Sequence, residues 1–263
     1  MAQEKKRIKI LCIGNSFSED TIHYVAEIAR AAGYQDVLAA NLFIGGCPIR
    51  KHYENIKNDL PAYRYGRNDG SGWIDTPDTR ISDAVLAEDW DWISIQHGSS
   101  YGAVYTRDEC YQDLEALVKE VKALARSRTK IAFNMTWVGE PYYDRPEMLA
   151  FNRDQKRLFE AICAITERLV LPAPGIDLVC PTGTAVQNAR TTALGDRMSR
   201  DGYHLSLDVG RYLAGLTFFK TLTGECVAGL NWRPEGVGEQ DVELILKSVD
   251  RAIESPFAIT TIL

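Results

Sequence analysis

Arg7-Ile8-Lys9-Ile10-Leu11-Cys12-Ile13-Gly14-Asn15-Ser16-Phe17-Ser18 reads as a strand that empties into the start of a helix. The aliphatic and β-branched run Arg7–Ile13 carries little polar alternation, as expected of a parallel strand buried on both faces. Gly14 lets the chain turn tightly after it, and Ser18 is a candidate N-cap for the helix that follows. Ile22, Val25, Ile28, Ala29 and Ala32 recur at helical spacing, and Gly33 is placed to end that helix. Ser16 falls in the turn between the two elements, where open α/β sheets gather their ligands.

Working outward, Asp36–Phe43 reads as a second strand, ending at Ile44-Gly45-Gly46-Cys47-Pro48. Trp92–Gln96, Lys130–Trp137 and Val170–Pro172 read as three more. Helical patterns cover Ile81–Leu86, Cys110–Arg126, Phe151–Leu169, Val209–Leu222 and Gln240–Ile253. Apolar strands alternating with helices predict an α/β fold: a three-layer α/β/α sandwich around a central, mostly parallel five-stranded sheet, flavodoxin-like in topology. Residues 50–79 break the rhythm. Pro61-Ala62-Tyr63-Arg64-Tyr65, the turn-forming Asn68-Asp69-Gly70-Ser71-Gly72 and then Trp73-Ile74 predict an inserted β-hairpin near the sheet's carboxyl edge. With no linker-like or low-complexity stretch, residues 1–263 are expected to form one domain.

Composition narrows the function. The 263 residues are 45% hydrophobic and 25% charged, ordinary for a globular protein, and no apolar run approaches a membrane span. A net charge of −6 argues against a nucleic-acid partner, because phosphate binding needs a basic surface. The six cysteines show no C-x-x-C spacing, so no metal site is expected. Gly14-Asn15-Ser16-Phe17 has neither the G-x-G-x-x-G pattern nor a P-loop lysine, which sets aside a nucleotide-binding reading, and no cofactor is implied. Met1-Ala2-Gln3-Glu4-Lys5-Lys6 contains no signal-peptide core. That start fits a cytoplasmic chain or an exported one already trimmed, and leaves localisation and oligomeric state open.

The chemistry-bearing residues lie far apart in sequence. Asp201-Gly202-Tyr203-His204-Leu205-Ser206 precedes the helical pattern from Val209. An imidazole within reach of Ser16 would take its hydroxyl proton, and Asp201 would fix the tautomer and stabilise the imidazolium. Gly46, after the second strand, could bring a backbone N–H close to a developing oxyanion, together with the Ser16 N–H. Gln96, at the end of another strand, could add its side-chain amide. His97, Trp137, Trp73 and Tyr101 fall near the same edge as candidates for contact with substrate, and Tyr63 and Tyr65 lie nearby. Aromatic faces suit sugar rings. His23 and His52 have no such company and read as surface or packing residues.

These blocks resemble the SGNH/GDSL hydrolase superfamily, in a divergent bacterial, carbohydrate-esterase-like branch. Gly14-Asn15-Ser16 matches the family's Gly-Asp-Ser, with asparagine in place of aspartate. Gly45-Gly46 matches its oxyanion glycine, and Asp201 and His204 match its terminal Asp-x-x-His. The family's Gly-x-Asn-Asp block has no counterpart at the end of the Trp92–Gln96 strand, and Gln96 stands there as the substitute for its oxyanion asparagine. The resemblance implies a serine esterase acting on small acyl esters, acetyl in particular, carried by a carbohydrate or other small molecule. The alternative is a non-catalytic glycan-binding relative with a degenerate oxyanion block.

Overall fold

The computed structural model describes residues 6–97 and 106–262. Tyr101 lies outside them. In chain order the elements are β1 (Arg7–Gly14), α1 (Ser16–Ile22), α2 (Val25–Ala31), β2 (Asp36–Phe43), α3 (Ile49–Lys57), β3 (Tyr63–Asn68), β4 (Ile74–Thr79), α4 (Ile81–Leu86) and β5 (Trp92–Gln96). There follow α5 (Leu114–Leu124), β6 (Lys130–Asn134), α6 (Pro146–Ala150), α7 (Gln155–Ile165), β7 (Leu178–Cys180), α8 (Thr182–Arg190), α9 (Val209–Thr223) and α10 (Glu239–Glu254).

The sheet runs β4-β3-β2-β1-β5-β6-β7, with β1 in the middle. β2, β1, β5, β6 and β7 are mutually parallel, while β3 and β4 pair antiparallel at one edge. The sheet therefore has seven strands where five are expected. The hairpin is the cause: Leu42 pairs with Tyr65 and Phe43 with Arg64, so its first strand continues the main sheet instead of standing apart from it.

Two apolar layers cover the sheet, and alternation along each strand feeds both. Ile8, Ile10 and Cys12 of β1 meet α1, α2, α8, α9 and α10, whereas Leu11 and Ile13 face α3, α4, α5 and α7. This is the three-layer sandwich expected from the alternation of elements.

Several boundaries differ from the sequence reading. The first helix is broken at His23-Tyr24 into α1 and α2, and its N-cap is Asn15, whose Oδ1 accepts the Phe17 N–H at 2.9 Å. Ser18 instead sits inside the first turn and donates to Asn41 Oδ1 at 2.7 Å. The last strand is Leu178–Cys180, not Val170–Pro172; Val170 closes a π-helical turn, Thr166–Val170, that continues α7. A three-residue aliphatic run looks the same as a strand or as the buried end of a helix.

Candidate active site

β1 delivers Ser16 to the carboxyl edge of the sheet, at the first position of α1. Ser16 is only partly exposed, while its neighbours Asn15 and Phe17 are buried. The loop before α9 brings His204 to it: Nε2 stands 2.9 Å from Ser16 Oγ. On the far side of the ring, Nδ1 lies 2.6 Å from Asp201 Oδ2, and Asp201 Oδ1 accepts the His204 and Tyr203 N–H groups at 2.7 and 3.0 Å. Burial works to raise the Asp201 carboxyl, but the hydrogen bonds and charge of His204 outweigh it and hold its pKa below the usual value. An ionised carboxylate only accepts, so Nδ1 carries the proton and Nε2 is left to accept from the serine hydroxyl.

The Gly45-Gly46 turn closes beside the serine. Cys47 N–H donates to Ile44 O at 3.2 Å, and Gly46 takes φ +61°, a left-handed conformation that favours glycine. Among the described residues no acceptor meets the Gly46 N–H. Asn15 ties this turn to the serine, its Nδ2 donating to Cys47 O at 3.3 Å. An aspartate at position 15 would set a carboxylate oxygen against that carbonyl. This accounts for the asparagine in the Gly-Asn-Ser block. Behind the turn, Cys47 Sγ and Tyr63 Oη lie 3.6 and 2.8 Å from His52 Nδ1. Burial lowers His52 to about 3 and raises Cys47 to about 12, so the contact is between neutral groups.

Not every expected residue reaches the serine directly. Gln96 is 2% exposed, and its Nε2 donates to Asn15 Oδ1 at 2.7 Å; it holds Asn15 in place. His97 is likewise buried, with Nε2 2.6 Å from Thr136 Oγ1. Trp137 lies past the end of β6 and is 0% exposed, packed on Phe17 at 4.5 Å between ring centroids. Its Nε1–H donates to Tyr203 O at 2.8 Å, so it underpins the histidine loop from within the core, where no substrate reaches. Trp73 is partly exposed in the hairpin, its Nε1–H held by His23 O at 3.1 Å.

The family model described as "Domain of unknown function (DUF4886)" matches residues 9–252. A crystal structure of a DUF4886 family protein from Bacteroides uniformis ATCC 8492 has a TM-score of 0.90 at 33% identity, covering 98% of each chain. The chain belongs to the DUF4886 family. This DUF4886 protein is also similar to Axe2, an acetylxylan esterase from Geobacillus stearothermophilus, with a TM-score of 0.50 at 17% identity over 84% of this chain and 96% of that one. At that identity the likeness shows the fold alone, a central, mostly parallel sheet flanked by helices. No curated protein matches the chain in sequence.

The DUF4886 protein also carries a positioning group that its sequence conceals. Asp20, one turn along α1 from Ser16, is 0% exposed and is held by two arginines. Arg200 Nη1 lies 2.9 and 3.1 Å from its two oxygens, and Arg211 Nε is 2.8 Å from Oδ1. Oδ2 accepts the Leu205 N–H at 3.0 Å, and Arg200 also donates to Leu205 O. Because Leu205 follows His204, this network ties the histidine's loop to the helix that carries the serine. Nothing in Glu19-Asp20 separates it from an ordinary helical charge pair; only the contact with arginines near position 200 identifies it.

Proposed function

We propose that the protein is a serine-dependent carboxylic ester hydrolase that removes small acyl groups, acetyl in particular, from a carbohydrate. The observation that carries the reading is the unbroken hydrogen-bond chain from Ser16 through His204 to Asp201. Ser16 Oγ attacks the ester carbonyl while His204 Nε2 takes its proton, and Asp201 balances the imidazolium. The tetrahedral oxyanion forms against the Ser16 and Gly46 N–H groups, with Gln96 acting through Asn15 rather than as a direct donor. Collapse expels the alcohol, which leaves with the proton from His204. Water, deprotonated by the same ring, then cleaves the acyl-enzyme to free acid and Ser16. The likeness in fold to an acetylxylan esterase supports the acyl and alcohol classes. No metal or cofactor enters this scheme.

Hydrolysis of p-nitrophenyl acetate and of acetylated sugars tests it. Ser16→Ala and His204→Ala are each expected to lower turnover by roughly 10³-fold or more, since members of such a unit fail together. Wild-type rates in Ser16→Ala would sink the mechanism, and a clear preference for longer acyl chains would sink the acetyl assignment.

A further inference from the structure

Along α1 from Ser16 the helix surface continues through Glu19 to His23, three and seven residues on, so all three lie on one face. Beside that face the sheet opens into a cleft of about 150 Å³. Its floor includes one row across three strands: Asn41 pairs with Gly66 and Gly66 with Asp75. A Cβ at Gly66 would sit 2.9 Å from Asp75 Oδ1 and 3.2 Å from Trp73 Cε3. Gly66 has an ordinary backbone, so its missing side chain answers to space: any larger residue would fill the cleft.

The walls are fixed and chemically mixed. Arg64 donates to Glu19 Oε1 at 2.6 Å and to Asp75 Oδ2 at 2.8 Å, and its guanidinium lies over the Phe43 ring at 4.4 Å. Each carboxylate keeps a second oxygen as an acceptor, and the arginine between them is already neutralised. Asn41 is buried, its Oδ1 takes the Ser18 hydroxyl, and its Nδ2 meets no acceptor among the described residues. Trp73 and His23 present nearly parallel rings, 15° apart, with centroids 6.2 Å apart. Burial, helped by the charges of Arg211 and Arg200, lowers His23 to about 4, leaving that ring neutral at neutral pH.

We propose that this cleft binds a single neutral sugar ring, with the Trp73 face against its C–H groups, Glu19 and Asp75 accepting from its hydroxyls and Asn41 donating to one of them. Aromatic faces beside paired acceptors and a lone amide donor suit a polyol. Arg211 also lines the cleft but is held by buried Asp20, and Arg64 is shared by Glu19 and Asp75, so no unpaired cation among the described lining residues awaits an anionic sugar. The volume is below the roughly 300–1,000 Å³ of sites for larger ligands, so the cleft takes one ring and not an extended chain. The inference deepens the esterase reading, since it places the alcohol side of the ester on the hairpin, but sugar binding is separable from turnover.

The test therefore uses the full chain carrying Ser16→Ala, labelled with ¹⁵N and titrated with methyl β-glucopyranoside, methyl β-xylopyranoside and sodium glucuronate. Among the five tryptophans, the Trp73 indole resonance is identified by its loss in Trp73→Phe. The neutral glycosides are expected to shift that resonance, with buried Trp90 and Trp137 unmoved. Gly66→Val is expected to weaken binding by roughly tenfold or more while keeping the native spectrum elsewhere. Glucuronate is expected to leave the resonance in place. The inference is overturned if neutral glycosides give no shift, if glucuronate binds as well, or if binding survives Gly66→Val unchanged. A Trp73→Ala enzyme losing kcat/KM on acetylated sugars but not on p-nitrophenyl acetate would locate the bound ring on the reaction path; equal loss on both would overturn the assignment to the alcohol side.

Discussion

At the scale of single residues, Asp20 tests whether the site depends on groups that never touch substrate. Asp20→Asn keeps the shape but removes the charge facing Arg200 and Arg211, leaving two guanidinium groups at a buried position without a balancing carboxylate. We expect a loss of roughly 3 kcal/mol in unfolding free energy and a fall in kcat of about 10²-fold with KM little changed, because the histidine loop shifts against the serine. Urea titration and steady-state kinetics on p-nitrophenyl acetate check both. An unchanged kcat in a folded variant would contradict the positioning role. The same scale shows what could be read in advance. Ser16, Asp201 and His204 stand out because each sits in a short block whose chemistry and neighbours are local. Gln96 stood out too, but its orientation is set by Asn15, a partner 81 positions away, and no local pattern reports that.

At the scale of elements, the decisive unit is the loop from Ser199 to Leu205, closed by a bridge between those two residues and by the Arg200 N–H donating to His204 O at 3.0 Å. Trp137 supports it from below through one hydrogen bond to the Tyr203 carbonyl. Trp137→Phe keeps most of the packing on Phe17 and removes the indole N–H that this carbonyl accepts. We expect a destabilisation of about 1–3 kcal/mol and a drop in kcat of roughly tenfold, measured by thermal unfolding and by initial rates. A variant with lowered stability and full kcat would show that the loop holds His204 without Trp137. Element identity was mostly legible because apolar runs separated by helical spacing leave few options. The misplaced last strand and the broken first helix have a common cause. Leu169-Val170-Leu171 and the apolar residues on either side of His23-Tyr24 read the same whether or not the backbone continues, and tertiary packing decides.

At the scale of the whole molecule, three of the four histidines are buried enough to stay neutral in the native state. His52 and His97 are lowered to about 3 and His23 to about 4, chiefly by burial, against a usual value near 6.5. Below about pH 6.5 the unfolded chain takes up protons that the native chain refuses, so unfolding draws in protons and stability falls as pH falls. Each such histidine contributes up to about 1.4 kcal/mol per pH unit. Urea midpoints are therefore expected to decline between pH 6.5 and 4.5, above the range where most carboxylates titrate, and to decline less in His52→Gln. A flat profile across that window would rule the effect out. In sequence, His23 and His52 read as surface or packing groups and His97 as a substrate contact. Only the seven-strand sheet, with β3 drawn against β2, shows how thoroughly His52 is enclosed.

The order of the sheet has one more consequence. β1, which runs into Ser16, comes before every other described strand in the chain yet occupies the middle of the sheet, and the ring that meets the serine comes 188 positions later. On the proposed mechanism a growing chain thus carries its serine through the synthesis of these 188 residues without the imidazole that takes its proton, and it stays chemically silent until the segment around Asp201 docks onto α1. Under the proposed function, restored hydrolysis is expected to report the joining of β1 to the loop before α9 rather than the health of any one part.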